Sequence, residues 1–567
     1  MQDYLSVEAL GDVFDFYIWS GTPREALTAY GTLTGLPIFP PEWVFEPWAG
    51  GGGGRWRNGP LQDIALEQMA AMKKFHELDI PHSGFYAEGA GATFFGEYKK
   101  EELYKVVSFG ERHGFKVFSW QFPNMTQELA QELLPECPKE ELPITRNKND
   151  EEEKLPVYID FSHPRAKELL AAQWKDRMDA GIRGSMVDFG DVVPDEAVFY
   201  DGRRGDEMHN AYAYQYAKNY RELFEQKYGD DHVLYTRGAA PGSQHFACQF
   251  GGDQLTSFQG LKYAIAGGLS AAASGLPFWG VDAGGYDGFP DQETYLRWTE
   301  YAAFCPLMRF HGTEPREPWE YDAFTVKVYR YYAWLRENLR PYIVSVAAEA
   351  HKLGIPMMRP LAMMYPEDQE ATKVWDEYLF GEDLLVAPVS DETEEREIYF
   401  PEGRWISLWN LNDEISGPVQ RSVEVPIDKI PVYIREGSFL PLRLNESLKL
   451  GESMSESETE MILAVVPQND SIVKETLYER SGAKTCCGME KNGETIQLQI
   501  SGRTAELYVM LAGIHWKNTE AIVNGRTLTK VTAREGLYFT EGYLELEEGI
   551  LVKINPSAES VIKIQKK

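Results

Sequence analysis

Gly184-Ser185-Met186-Val187-Asp188-Phe189-Gly190-Asp191 decides how the chain is read. Four small or apolar residues run straight into a carboxylate, and a glycine follows two positions later. A buried parallel strand that ends at a functional rim has this form: an apolar run, a polar tip, then a turn. Asp188 is the tip. Ligands gather at the carboxyl ends of parallel strands, in barrels and open sheets alike. An Asp there is a catalytic carboxylate or a cap and turn former, and the stretch alone leaves both readings open.

Outward from this stretch, short apolar runs alternate with helical patterns between residues 42 and 355. Strand-like runs fall at Val44–Trp48, Gly84–Ala87, Lys116–Trp120, Gly184–Asp188, Val233–Arg237, Ala247–Gly251, Pro277–Asp282 and Pro306–His311. Helical patterns such as Leu61–Phe75, Pro164–Ala180, Met208–Tyr228, Phe258–Ala273 and Gln292–Phe304 lie between them. Eight alternations predict an α/β fold, a (βα)8 TIM barrel over residues 41–355. A doubly wound sheet competes, but no Gly-x-Gly-x-x-Gly turn opens a helix. A small insertion is expected near 137–159, its acidic part Asn147–Lys154 solvated. After a long helix, Ala323–Lys352, the period changes to two, as in Ile496, Leu498 and Ile500. Residues 356–445 and 446–567 are therefore expected to form one or two antiparallel β-sandwich domains. Residues 1–40 hold one apparent strand, Val13–Trp19, and a helix starting at Thr22-Pro23, with Thr22 as cap. A lone strand cannot bury its faces, so this segment leans on the barrel or is the remnant of a larger N-terminal unit.

The bulk properties bound the function. A chain of 567 residues exceeds one ordinary core, so several domains are expected. Lys and Arg number 56 against 88 Asp and Glu, a net charge of −32. That surface repels nucleic acid and anionic membranes and tolerates neutral ligands such as sugars. The five cysteines, Cys137, Cys248, Cys305, Cys486 and Cys487, lack paired metal-site spacing and suit a reducing, cytoplasmic setting. No basic leader with an apolar core opens the sequence, and no run of 18 apolar residues occurs.

Polar residues collect at the expected strand tips: Glu88, Trp120, Asp188, Asp191, Arg237, Asp253, Trp279, Asp282 and His311. Each alone has an ordinary explanation as cap, ion-pair partner or core. Together they would share one barrel mouth, and burying several acids without a task is costly. Five carboxylates, an Arg, a His and two Trp make the inventory of a sugar site, with indoles to stack on a pyranose. Metal ligation is the competing use, but no His-x-x-x-His or Glu-x-x-His pairing supports it. No Gly-x-Ser-x-Gly elbow points to a serine hydrolase.

The series Val-Asp-Phe-Gly-Asp (187–191), Phe-Tyr-Asp-Gly (199–202), Met-His-Asn (208–210), Phe-Gly-Gly-Asp (250–253), Gly-Val-Asp-Ala-Gly-Gly (280–285), Arg-Trp (297–298), Met-Arg-Phe-His-Gly (308–312) and Pro-Trp-Glu-Tyr-Asp (318–322) resembles glycoside hydrolase family 31. The α-xylosidase and α-glucosidase-like branch is the nearest in pattern. Gly-Ile-Pro-Met-Met-Arg-Pro (354–360), Leu-Val-Ala-Pro-Val (385–389) and Phe-Pro-Glu-Gly-Arg-Trp (400–405) match the sandwich that follows the barrel in that family. The resemblance covers residues 12–442. It implies a retaining exo-α-glycosidase without cofactor or metal, acting on a small oligosaccharide or glycoside. Asp188 matches the nucleophile and Asp253 the general acid/base, whose proton affinity should be raised by the site. Glu88, Trp120, Arg237, Trp279, Asp282 and His311 match sugar-binding positions, and Asp191 a supporting acid.

Three departures qualify the resemblance. The family carries a complete N-terminal β-sandwich, of which residues 1–40 resemble only the tail. Glu88 stands where an Asp is usual. The Gly50–Gly54 loop carries Arg55 and Arg57, which raises sulfoquinovosidase specificity, with α-galactosidase specificity or an inactive carbohydrate-binding protein as further alternatives. Transglycosylation by the same residues is a further outcome, and an exposed barrel flank favours a homo-oligomer.

Overall fold

The computed structural model describes residues 15–51, 61–87, 89–90, 98–146, 157–455, 460–469, 471–503, 505–538 and 540–567. Glu88, Arg55, Arg57 and the acidic stretch 147–154 lie outside the described residues.

A TIM barrel carries the first half of the chain. Its strands are β1 (Trp48–Gly51), β2 (Gly84–Ala87), β3 (Lys116–Gln121), β4 (Gly184–Val187), β5 (Val233–Thr236), β6 (Cys248–Phe250) and β7 (Trp279–Gly280), paired in that order and parallel throughout. The two edges meet across residues 307–310. Leu307 N–H donates to Trp279 O at 3.0 Å, Trp48 N–H to Met308 O at 2.8 Å, and Phe310 N–H to Trp48 O at 3.1 Å. The expected eighth strand, Pro306–His311, is thus a bridged extended segment rather than a full ladder. The expected first strand also starts late. Glu42–Phe45 is a 3-10 turn that buries Val44 and Phe45, and Pro47 cannot donate, so pairing begins at Trp48.

Helix α1 (Pro23–Thr34) begins at Thr22 as its residues require: the Thr22 hydroxyl accepts from Glu25 N–H, and the Glu25 carboxylate accepts from Thr22 N–H at 2.8 Å. The strand expected before it is not formed over residues 15–20. No ladder runs through them, and Phe16, Tyr17 and Ile18 are exposed. Pairing needs an edge, and among the described residues no strand pairs with them.

Helix α2 (Ala323–Leu353) joins the two halves of the molecule. Asp322 caps it, accepting from Thr325 N–H at 2.9 Å, and Gly354 ends it at φ +71°. The fully buried Arg336 guanidinium donates to Phe45 O at 2.7 Å and Ala303 O at 3.0 Å, and to the carbonyls of Cys305 and Pro306. It therefore ties the helix to the barrel's closing segment. Nearby on the helix, Asn338 donates to Arg443 O at 3.0 Å and accepts from Gly451 N–H at 2.7 Å, while Ser345 accepts from Tyr478 N–H at 3.0 Å.

Beyond the helix, Met358–Arg435 contains a six-stranded antiparallel sheet. Two further six-stranded sheets come after it and close over Phe439, Leu463, Val509 and Val552 from one and Leu498, Ile500, Ile562 and Ile564 from the other. One departs from pure antiparallel pairing: Glu460–Val465 runs parallel to Leu507–Ala512, and Thr529–Lys530 to Gly542–Glu545. Strand Phe439–Leu444 pairs with Glu460–Val465. Its hydrogen bonds place it in the distal pair of sheets, although it precedes the division expected at 445. Among the described residues, no helix is long and apolar enough to cross a membrane.

Candidate active site

The side chain at the tip of β4 is held on three sides. Asp188 is 5% exposed. Trp120 Nε1–H, from β3, donates to its Oδ2 at 3.0 Å, and Phe189 N–H to its Oδ1 at 2.8 Å. From the end of β5, Arg237 Nη1 stands 3.6 Å from Oδ1. Burial raises the proton affinity of Asp188 above the ordinary aspartate value; Arg237, the Trp120 N–H and the Phe189 N–H oppose that, and Asp253 adds to it. Donors aimed at both oxygens leave the carboxylate fixed in orientation.

Phe189 takes φ +56°, the left-handed region that a bulky side chain avoids. The chain turns sharply just after Asp188 because of it. Its ring is clasped by the Trp120 ring at 6.1 Å, the Phe122 ring at 6.0 Å and the Arg237 guanidinium at 4.5 Å. Arg237 reaches on to Asp191, Nη2 to Oδ1 at 3.2 Å. Asp191 thus holds the cation that flanks Asp188.

Asp253 follows β6 across Gly251 and Gly252 and is exposed. Gly252 has φ +73°, and a Cβ there would meet Arg237 Cδ at 3.0 Å. The Asp253 charge is felt by Asp188, Arg237 and Asp282, so these four groups share one field. Asp188 is enclosed and Asp253 open to water, and that asymmetry suits two carboxylates with different tasks.

Asp282, after β7, is 1% exposed and ion-paired with Arg309 Nη1. Its Oδ2 has no hydrogen-bond partner among the described residues. Burial pushes the Asp282 carboxyl up to about 7 against the pull of Arg309. Arg309, itself fully buried, donates also to Tyr235 Oη and lies over the Tyr235 and Tyr86 rings at 4.6 and 5.2 Å. His311 is 6% exposed, with the Tyr86 ring at 4.5 Å and Tyr286 at 5.6 Å. Gly50 makes room for it: a Cβ there would meet Phe310 O and come within 3.2 Å of His311 Nδ1.

Of the nine residues singled out in the sequence, Trp120, Asp188, Asp191, Arg237, Asp253, Asp282 and His311 stand at the strand ends around this field. Trp279 does not face it. Its indole packs on Gly267 and Gly268 of the preceding helix, Phe258–Ala273, and against Gly251, behind the Asp253 loop. Arg309 and Tyr235 were missed. Both were signalled by alternation, since each lies two residues before a chosen one, His311 and Arg237, on the same side of an extended segment. Among the described residues no group of three or more His, Cys, Asp or Glu is arranged to hold a metal ion.

The models for the glycosyl hydrolases family 31 TIM-barrel domain and C-terminal domain match residues 38–346 and 354–440. The chain belongs to glycoside hydrolase family 31. An isomaltosyltransferase of Sporosarcina globispora is 27% identical over 96% of this family-31 chain and 54% of its own length. An α-xylosidase of Emericella nidulans is 27% identical over 77% of the chain and 58% of its own. The cycloalternan-forming enzyme of Listeria monocytogenes, solved with a pentasaccharide substrate, shares the fold with a TM-score of 0.85 at 22% identity, over 96% of this chain and 56% of that one. The chain therefore spans a little over half the length of these relatives. The isomaltosyltransferase match extends past residue 442, where the motifs of the sequence ended.

Proposed function

We propose that this family-31 chain is a retaining exo-α-glycosidase acting on terminal α-glucosides or α-xylosides. The observation that carries the reading is the enclosed Asp188, oriented by Trp120, Phe189 and Arg237, with the exposed Asp253 acting on it electrostatically from the end of a strand two places away. Asp188 attacks the anomeric carbon; a C–O ester bond forms as the glycosidic C–O bond breaks. Asp253 gives its proton to the departing oxygen. Asp253 then takes a proton from water, whose oxygen attacks the anomeric carbon and releases Asp188. Asp282 accepts from a sugar hydroxyl through Oδ2, and His311 and Arg237 fix the ring. A panel of nitrophenyl α-glycosides tests the reading, with the product anomer followed by NMR. Release of the α-anomer is expected. A β-anomer, or binding without release, overturns it.

A second reading shares the same intermediate. The isomaltosyltransferase relative aligns over 96% of the chain, so a sugar hydroxyl replacing water as acceptor is the natural variant. Product analysis at high glycoside concentration separates the two: transfer products exceeding free sugar support transglycosylation.

A further inference from the structure

The loop that presents Asp253 is fastened to the neighbouring loop through one side chain. Gln254, next to Asp253 in sequence, is 8% exposed although Asp253 and Leu255 on either side of it are exposed. Its Oε1 accepts from Asp282 N–H at 3.3 Å, and its backbone O accepts from Tyr286 N–H at 2.8 Å. A backbone N–H can only meet an oxygen, so the partner fixes which way the amide faces. The fit also depends on Gly251, where a Cβ would overlap Gln254 Nε2 at 2.2 Å. Leu255 bridges Asp287, and the Thr256 hydroxyl donates to Asp287 O. The Asp253 loop is thus laced to the 282–288 loop, with Gln254 the buried rung beside the carboxylate.

We infer that Gln254 is a positioning residue: by anchoring on the Asp282 backbone N–H and slotting against Gly251, it holds the exposed Asp253 where it can deliver a proton to the leaving group. Misplacement of the proton donor by about 1 Å costs on the order of 10²-fold in rate. This inference rests on the glycosidase reading, and it assigns Gln254 to one half-step of it, protonation of the departing oxygen.

The test varies the need for that proton. An α-glycosyl fluoride departs as fluoride with little acid help, whereas a methyl α-glycoside cannot leave unprotonated. Gln254→Met keeps the side chain's length but cannot accept the Asp282 N–H. For the sugar that the wild type turns over, kcat/KM of this variant is expected to fall about 30-fold or more on the methyl glycoside and less than about 3-fold on the fluoride. Gly251→Ala, which displaces the same amide, should give the same split, and it carries the test if Gln254→Met does not fold. Equal losses on both substrates, or none on either, overturn the positioning role and leave the glycosidase reading intact. A wild type inactive on both substrates overturns the glycosidase reading itself.

Discussion

Arg237 illustrates how closely the candidate site is wired at the level of single groups. It flanks Asp188, is held by Asp191 and lies over the Phe189 ring. Its charge lowers the proton affinity that burial raises in Asp188. Removing the cation withdraws a lowering influence, so the acidic limb of the kcat/KM profile should move to higher pH in Arg237→Met. A pH–rate profile checks this, and a limb moving to lower pH contradicts the assignment. Asp188→Ala should lose about three orders of magnitude or more in kcat, measured on a nitrophenyl glycoside with circular dichroism as a check on folding. Much of this was legible in the residues. Gly184–Val187 could hardly be anything but a buried strand, and its carboxylate tip marked the rim. Trp279 read as equivalent to the others, because an aromatic at a strand tip looks alike whether it faces inward or outward. Its direction is set by Gly267 and Gly268, glycines of the adjoining helix whose bareness admits the indole.

The secondary-structure elements were legible where local chemistry dominates. The Thr22–Glu25 capping box opens α1, and the Asp322 cap and Gly354 bound α2. Asp322→Ala should cost about 1 kcal/mol of stability, read as a small fall in the urea midpoint with an unchanged m-value. A fall beyond about 3 kcal/mol would mean that Asp322 does more than cap. Elements that depend on distant partners were not legible. The segment 15–20 has the alternation of a strand but pairs with no strand among the described residues. Strand Phe439–Leu444 belongs with residues that come later in the chain. The barrel's first strand begins only after Pro47, and counting apolar residues does not register a missing N–H.

Across the whole molecule, buried acids set how stability responds to pH. Burial pushes the carboxyl of Glu300, paired with Arg297, from 4.5 up to about 8, and that of Glu377, beside Arg396, likewise to about 8. The folded chain then holds more protons than the unfolded chain between those values, so stability falls as pH rises through that window. The melting temperature should be lower at pH 9 than at pH 6, and Glu300→Gln should flatten the difference. A melting temperature that climbs toward pH 9 would contradict this account.

Helix α2 has a consequence for heat. Its Arg336 grips the carbonyls that close the barrel, and its Asn338 and Ser345 grip the last pair of sheets. Neither half can come away without stripping the same rod. A calorimeter should therefore record one endotherm for the chain, and a protein cut short after residue 445 should be recovered as aggregate rather than as a free-standing barrel.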